Sequence, residues 1–386
     1  MKESEKRILL LAGEESGLLY ANEIRRRLVG WEVRGYQDCG FETHDMAVIG
    51  FLPVLLKLRY FLRLKKTMER VIDEWKPDVV LTVDYPGMNL KLAAYAHAKG
   101  IRTVHVVCPQ VWAWKKGRIP KVEAALDRLC CFLPFEPKLF RPGFATFVGH
   151  PLASAFAETR EGAEAKRAGS GAEAKTVALL PGSRKGEIEK ILPTLLGAAE
   201  KLTEDFGDRV RFVIPAATPR AYRQIEKVVS RSPISRVRAP LEIRHGGARE
   251  LLLRADCAAV ASGTATLEAA LARCPTVLVY RVGRVFCRIM RIAIRTRFVG
   301  LANIIWERCR GGDVVEDQIV NRELQSPDQP MPELLQENCT VEAVHRHLKG
   351  YLEDDAVRAD AVRRLDAAMA YLDGDSDPFA NIIAEI

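Results

Sequence analysis

The sequence predicts an α/β protein of two doubly wound halves, each a parallel sheet covered by helices. Three observations carry this. Short apolar runs alternate with stretches of helical periodicity along most of the chain. In both halves such runs feed glycine-bearing turns that open helices, as in Val177-Ala-Leu-Leu-Pro-Gly-Ser-Arg-Lys-Gly186 and Ala258-Ala-Val-Ala-Ser-Gly-Thr-Ala-Thr-Leu-Glu268. At 386 residues the chain exceeds the size at which one core keeps growing, so two domains of ~150–200 residues are expected.

Taken in order, Ile8–Ala12 reads as a buried strand, followed by Gly13-Glu-Glu-Ser-Gly17 and a helix from about Leu19 to Leu28. The turn is not Gly-x-Gly-x-x-Gly, so no dinucleotide fingerprint is met. Between Met46 and Ile72, Phe51, Leu55, Leu58 and Leu62 recur at helical spacing beside Lys57, Arg59, Arg63, Lys65, Lys66 and Arg70. Such a basic amphipathic helix suits an anionic bilayer surface, and equally a core-packing helix with a solvated face. Asp78–Val83 is a strand ending in Asp84-Tyr-Pro-Gly-Met-Asn89, then a helix to about Lys99. Strand Ile101–Cys108 leads to Pro109-Gln-Val-Trp-Ala-Trp-Lys-Lys-Gly-Arg118, where two tryptophans and three cations cluster. Arg128–Phe135 repeats strand then turn, and Phe147-Val-Gly-His-Pro151 closes the half.

Ala157–Lys175, rich in small and charged residues, reads as a linker or a solvated helix. The second half restarts with strand Thr176–Leu180 and continues with Arg211–Pro215, Leu241–Arg244, Cys257–Val260 and Thr276–Tyr280. The domains are therefore placed at 1–160 and 176–350, with the helical tail of about 355–386 packing back on the first.

The net charge of +8 suits phosphorylated substrates or an anionic surface. Nucleic acid is disfavoured, because no basic tail and no helix-turn-helix, zinc-finger or RNP pattern occurs. Nine cysteines, an odd number without Cys-x-x-Cys, read as reduced buried thiols in a cytosolic protein and not as a disulfide framework or zinc site. The first residues lack a signal peptide, and no apolar stretch reaches the about eighteen residues of a membrane span.

A strand meeting a helix N-terminus at a glycine turn aims backbone N–H groups and the positive end of the helix dipole at an anion. Two such turns, with Arg184 as a bidentate fork and Ser183, Ser262, Gly263, Thr264 and Thr266 lining them, suggest a diphosphate held between them. Glu268 is placed to reach a ribose, or merely compensates the helix dipole at ~0.3–1 kcal/mol. Asp84, ending an apolar strand, is either a base with a raised pKa or a cap for the turn before Pro86. With Glu14 at another strand end, a cleft between the halves fits group transfer from a nucleotide diphosphate.

At these residues the chain resembles the lipid A disaccharide synthases, inverting glycosyltransferases of lipopolysaccharide assembly. The resemblance spans Gly13–Gly17, Met46–Phe51, Asp84–Asn89, Pro109–Trp114, Phe147–Pro151, Leu180–Arg184, Ala261–Ala270, Tyr280–Val282, Asn303–Ile304 and Pro332–Gln336, in order. It implies a GT-B fold, two Rossmann-like doubly wound domains facing across a cleft. It implies transfer of 2,3-diacylglucosamine from UDP-2,3-diacylglucosamine to the 6-hydroxyl of 2,3-diacylglucosamine 1-phosphate, giving the β-1,6 disaccharide 1-phosphate and UDP. Asp84 would be the general base and Arg184 would stabilise the leaving diphosphate. Glu14, Ser16, Asn89, Trp112, Asn303 and Gln336 would join the residues above in binding substrate. No metal or other cofactor is implied, since a fixed cation and helix dipoles can take the leaving group's charge. The segment Met46–Ile72, with a second basic stretch Arg281–Arg297, would meet the inner membrane's cytoplasmic face, leaving the protein cytoplasmic and peripheral; a homo-oligomer is compatible with this.

Leu18 stands where the family pattern carries Asp, Gly87 and Met88 where it carries a second acid, and the chain is longer between Asn303 and Pro332. Two rival readings follow. One is another UDP-sugar GT-B enzyme acting on a lipid-linked acceptor; the other is a catalytically dead UDP-sugar binding protein.

Overall fold

The computed structural model describes residues 6–42, 46, 57–113, 116–157, 159, 174–232, 240–283, 287, 296–310, 326, 328–372 and 377–386. The chain divides into two compact units, Met1–Pro151 with Gly374–Ile386, and Leu152–Asp373.

In the first unit, strands β1 (Lys6–Ala12), β2 (Trp31–Arg34), β3 (Val79–Val83), β4 (Arg102–Val106), β5 (Arg128–Cys131) and β6 (Ala145–Phe147) form one parallel sheet in the order β2-β1-β3-β4-β5-β6. Helices α1 (Glu15–Arg27), α2 (Leu58–Trp75), α3 (Pro86–His97) and α4 (Ile119–Glu123) lie between its strands in the chain. Central strands of a parallel sheet bury both faces, hence the unbroken apolar run of β3. Alternate residues of β1 divide between two cores: Ile8, Leu10 and Ala12 join one, Leu9 and Leu11 the other.

Helix α2 bears out the core-packing reading on one of its faces. Leu64, Met68, Ile72 and Trp75, at helical spacing, are buried in the core with Leu9 and Leu11. Leu58 and Leu62 remain 47% and 58% exposed, beside exposed Arg59, Arg63, Lys66 and Arg70. The preceding part of that segment, with Phe51 and Leu55, lies outside the described residues, as do most of 157–175, most of 281–297 and residues 311–325.

The second unit repeats the plan. Strands β7 (Lys175–Leu180), β8 (Val210–Ala216), β9 (Leu241–His245), β10 (Cys257–Ala261), β11 (Thr276–Tyr280) and β12 (Glu333–Leu335) pair in parallel in the order β12-β11-β10-β7-β8-β9. Helices α5 (Lys185–Phe206), α6 (Pro219–Val229), α7 (Ala248–Arg254), α8 (Thr264–Leu271), α9 (Leu301–Cys309), α10 (Val341–Glu353) and α11 (Asp355–Met369) complete it. α10 packs on α5, and α11 on α8 and α9. The last helix, α12 (Pro378–Ala384), instead covers the first sheet: Ile382 enters its core, Asn381 Nδ2 donates to Val148 O at 3.0 Å, and Asp377 pairs with Arg27 on α1.

In each sheet the first strand of the unit has its next neighbours on opposite sides, which opens a crevice at the carboxyl edge. In the first unit that point lies between β1 and β3; in the second it lies between β7 and β10. All nine cysteines are free, six of them buried. Among the described residues no helix is long and apolar enough to cross a membrane.

Candidate active site

The second unit's crevice is an open cavity of about 340 Å³, lined by the turns after β7 and β10 and by Pro215, Ala217, Gly246 and Ala248. The turn after β7 is held by Glu187, in the first turn of α5. Its carboxylate accepts from Arg184 N at 3.3 Å and pairs with Arg184 Nη1 at 3.0 Å. Gly182 has φ +98°, and a Cβ there would stand 2.6 Å from Glu187 Oε2, so only glycine fits. Ser183 and Arg184 stay exposed, the Arg184 side chain by 67%.

After β10, Thr264 opens α8 beside Ser262 and Gly263, with the helix N-terminus at the cavity. Thr266 does not face it: the side chain is fully buried and Oγ1 donates to Gly263 O at 2.8 Å, fixing the turn from beneath. Glu268 lines the cavity one turn deeper, its pKa raised by burial although Arg249 opposes the rise. The guanidinium of Arg249 lies 4.9 Å over the Phe156 ring.

Asn303 was expected to bind substrate and is instead fully buried on α9. Its Nδ2 donates to Met331 O and Glu333 Oε1, both at 2.9 Å, and Oδ1 accepts from Met331 N at 3.0 Å. Glu333 in turn caps α9 by accepting from Val299 N and Gly300 N. Gln336 follows β12 with φ +53°, a strained conformation, and its Oε1 accepts from Val282 N at 3.3 Å.

At the first unit's crevice Asp84 and Tyr85 both adopt left-handed backbone, φ +51° and +52°. Two such non-glycine residues in succession cost about 1–3 kcal/mol each, so the surrounding packing must hold the turn in place. Asp84 N donates to Val106 O at 2.9 Å, and Asp84 Oδ1 accepts from Tyr85 N at 2.8 Å. Burial raises the Asp84 pKa, and the bond from Tyr85 N only partly opposes it. The Tyr85 ring fills the crevice against Gly13, where a Cβ would meet Tyr85 Cδ1 at 2.3 Å. Tyr85 OH donates to Met46 O at 3.2 Å, and burial pushes its pKa up to about 12.

Glu14 precedes α1 and is exposed; Ser16 lies in the first turn, its side chain outside the described residues. Asn89, expected to bind substrate, is instead fully buried. Nδ2 donates to Leu11 O, Val83 O and Asp84 O, while Oδ1 accepts from Tyr36 OH at 2.6 Å. It braces the ends of β1 and β3 under Asp84. Trp112 is likewise buried, its indole N–H donating to Glu136 Oε1 at 2.9 Å and its ring meeting Phe135 edge-on.

Sequence reasoning missed Glu187, Glu136 and Glu333. The spacing Arg184-x-x-Glu187 is that of a capping box and would have revealed the first. An acid within the apolar Phe132–Phe140 run hinted at the second; nothing local marks the third.

Among solved structures, a UDP-GlcNAc 2-epimerase from Neisseria meningitidis bound to UDP-GlcNAc aligns over 98% of this chain and 99% of its own, with TM-score 0.56 and 9% identity. Acinetobacter baumannii MurG aligns over 95% and 98%, with TM-score 0.53 and 12% identity. At such identities the likeness concerns the fold: two Rossmann-like doubly wound domains, the GT-B architecture. The sequence model of the Lipid-A-disaccharide synthetase family matches residues 8–370. A lipid-A-disaccharide synthase from Syntrophus aciditrophicus is 37% identical over 323 residues, 78% of this chain and 82% of the relative. Another from Alcanivorax borkumensis is 33% identical over 382 residues, 93% and 97% of the two chains. The chain belongs to the lipid-A-disaccharide synthetase family and is a glycosyltransferase.

Proposed function

We propose that the chain transfers 2,3-diacylglucosamine from UDP-2,3-diacylglucosamine to the 6-hydroxyl of 2,3-diacylglucosamine 1-phosphate. The observation that carries the donor assignment is the cavity between β7 and β10, where two helix N-termini and Arg184 converge. There the diphosphate is bound by the turns at Ser183–Arg184 and Ser262–Thr264, and the ribose by Glu268. Asp84, partly desolvated at the other crevice, takes the proton of the 6-hydroxyl. The oxygen attacks the anomeric carbon, the carbon–oxygen bond to UDP breaks, and its electron pair leaves on the β-phosphate. One displacement inverts the centre and gives the β-1,6 disaccharide 1-phosphate. Arg184 and the helix dipoles stabilise the departing charge, the part a metal plays elsewhere.

Asn89, Asn303, Trp112 and Thr266 serve by holding these turns in place, whereas Glu14, Ser16 and Gln336 are assigned to the substrates directly. Both substrates carry acyl chains, and the mixed face of α2, with Leu58 and Leu62 among cations, docks the enzyme on an anionic inner-membrane surface. UDP release from the donor in detergent micelles, with and without acceptor, tests the whole reading. Acceptor-dependent release, unchanged by EDTA, is the expected result; acceptor-independent release would make the protein a hydrolase or assign another acceptor.

A further inference from the structure

Under the tryptophan loop lies a polar cluster that this chemistry does not use. Cys108 follows β4, Cys131 ends β5, and Glu136 opens a short 3₁₀ turn, Glu136–Leu139. One sulfur or oxygen atom of each lies within 4.8 Å of the others, and all three residues are buried, Glu136 to 3% exposure. Glu136 Oε1 accepts from Trp112 Nε1 at 2.9 Å and Oε2 from Leu133 N at 3.1 Å, while the Cys108 thiol turns to Pro109 O at 3.3 Å.

A buried acid is costly, and an apolar residue would fill the same space more cheaply. Here one carboxyl ties together the exit of β4, the tryptophan loop and the exit of β5, all at the carboxyl edge where ligands bind in such sheets. The strand it steadies is the one beside Asp84: Val83 is in register with Val106, Asp84 N donates to Val106 O, and Val107 leaves β4 at φ +76°. Burial raises the Glu136 pKa to about 8, with the Trp112 bond the main opposition, so the group is mostly neutral at pH 7 and can sit among the thiols.

We propose that Glu136 is a positioning residue for the acceptor half of the reaction, fixing Trp112 and through it the loop that continues β4 next to Asp84. It deepens the reading of Asp84 as base and rests on it. Cys108 and Cys131 complete the anchor as uncharged partners.

The test uses the full chain, with UDP release measured while acceptor and donor are varied separately. Glu136→Gln keeps the size and removes the ionisable group, but leaves one of the two N–H donors facing an NH₂. Trp112→Phe removes the N–H from the other side. Each variant should bind UDP within about twofold of the parent, keep the donor KM, and lose between about tenfold and a hundredfold in kcat/KM for the acceptor, the scale of a misplaced catalytic group. The double variant should lose clearly less than the product of the two single losses, because both variants loosen the same anchor. Above pH 8 the parent should lose further acceptor turnover as Glu136 ionises beside Cys108 and Cys131, and Glu136→Gln should not show that limb. Parental kinetics in Glu136→Gln, equal losses toward donor and acceptor, or additive losses in the double variant would overturn the proposal. So would stoichiometric zinc in the purified parent that vanishes in Glu136→Gln, since the cluster would then be a metal site. Turnover retained in Asp84→Asn would sink the base reading itself, whatever Glu136→Gln does.

Discussion

The two sheets are built alike, yet their crevices are furnished in opposite ways. Between β7 and β10 the turns are small and open: Gly182, Ser183, Ser262 and Gly263 leave a space of about 340 Å³, and Arg184 projects into solvent from its anchor on Glu187. Between β1 and β3 the corresponding place is occupied by the protein itself. The Tyr85 ring lies on Gly13, Asn89 ties three carbonyls, and Asp84 stands half-buried on strained backbone. The same topology thus yields an open cavity at two helix N-termini where side chains withdraw, the proposed diphosphate site, and a desolvated acid where they crowd in. Binding a diphosphate needs room and N–H groups; raising a carboxylate's pKa needs the removal of water.

That contrast can be broken most directly at Asp84. Asp84→Asn should lower kcat by at least about a hundredfold, the scale of general base catalysis, with UDP affinity unchanged in a calorimetric titration. Arg184→Ala should do the reverse in kind: weaker UDP binding, and kcat/KM for the donor down by about a hundredfold. Lysine in its place should restore little, because the two-pronged contact is lost.

Asn89→Ala sharpens the comparison through stability. Three buried carbonyls and Tyr36 OH would lose their partner, at about 1–3 kcal/mol, and thermal unfolding should show the loss before any substrate is added. The pH profile offers a gentler test. Asp84 must be ionised to act as base and burial raises its pKa, so activity should rise with pH along an acid limb centred above the ordinary aspartate value. In Glu136 the raised pKa of about 8 works on stability. The neutral folded form is favoured below the unfolded value, near 4.5, and that advantage is lost as pH rises toward and through 8. Glu136→Gln should therefore flatten the fall in melting temperature between those limits. Smallest of all, Leu58→Asp with Leu62→Asp should reduce cosedimentation with anionic vesicles while leaving UDP binding intact.

The architecture was legible because parallel strands write themselves as apolar runs and their exits as glycine turns; both sheets could be placed from Ile8–Ala12, Asp78–Val83, Thr176–Leu180 and Cys257–Val260. Charged and hydroxyl groups at strand ends were also found, Asp84 and Arg184 among them. Sequence could not say which polar residues at those ends face outward. Asn89 and Asn303 look like ligands in a motif, yet their amides are committed to partners that include the distant Leu11 O and Met331 O, a pairing that no local pattern records. Glu333 was missed for the same reason, since it accepts from Val299 N and Gly300 N far back in the chain. Glu136 and Glu187 instead each accept from an N–H three residues before them, a spacing the sequence does carry. Helix α2 carried two signals at once, since its buried stripe and its exposed leucines lie on different faces of one amphipathic pattern.

The division of labour between the crevices is tested most directly by acceptor-dependent UDP release from Asp84→Asn at saturating donor and acceptor. Release reduced by a hundredfold or more, with UDP bound as tightly as by the parent, is the predicted result. Parental turnover in that variant would contradict it and remove the first unit's crevice from the chemistry.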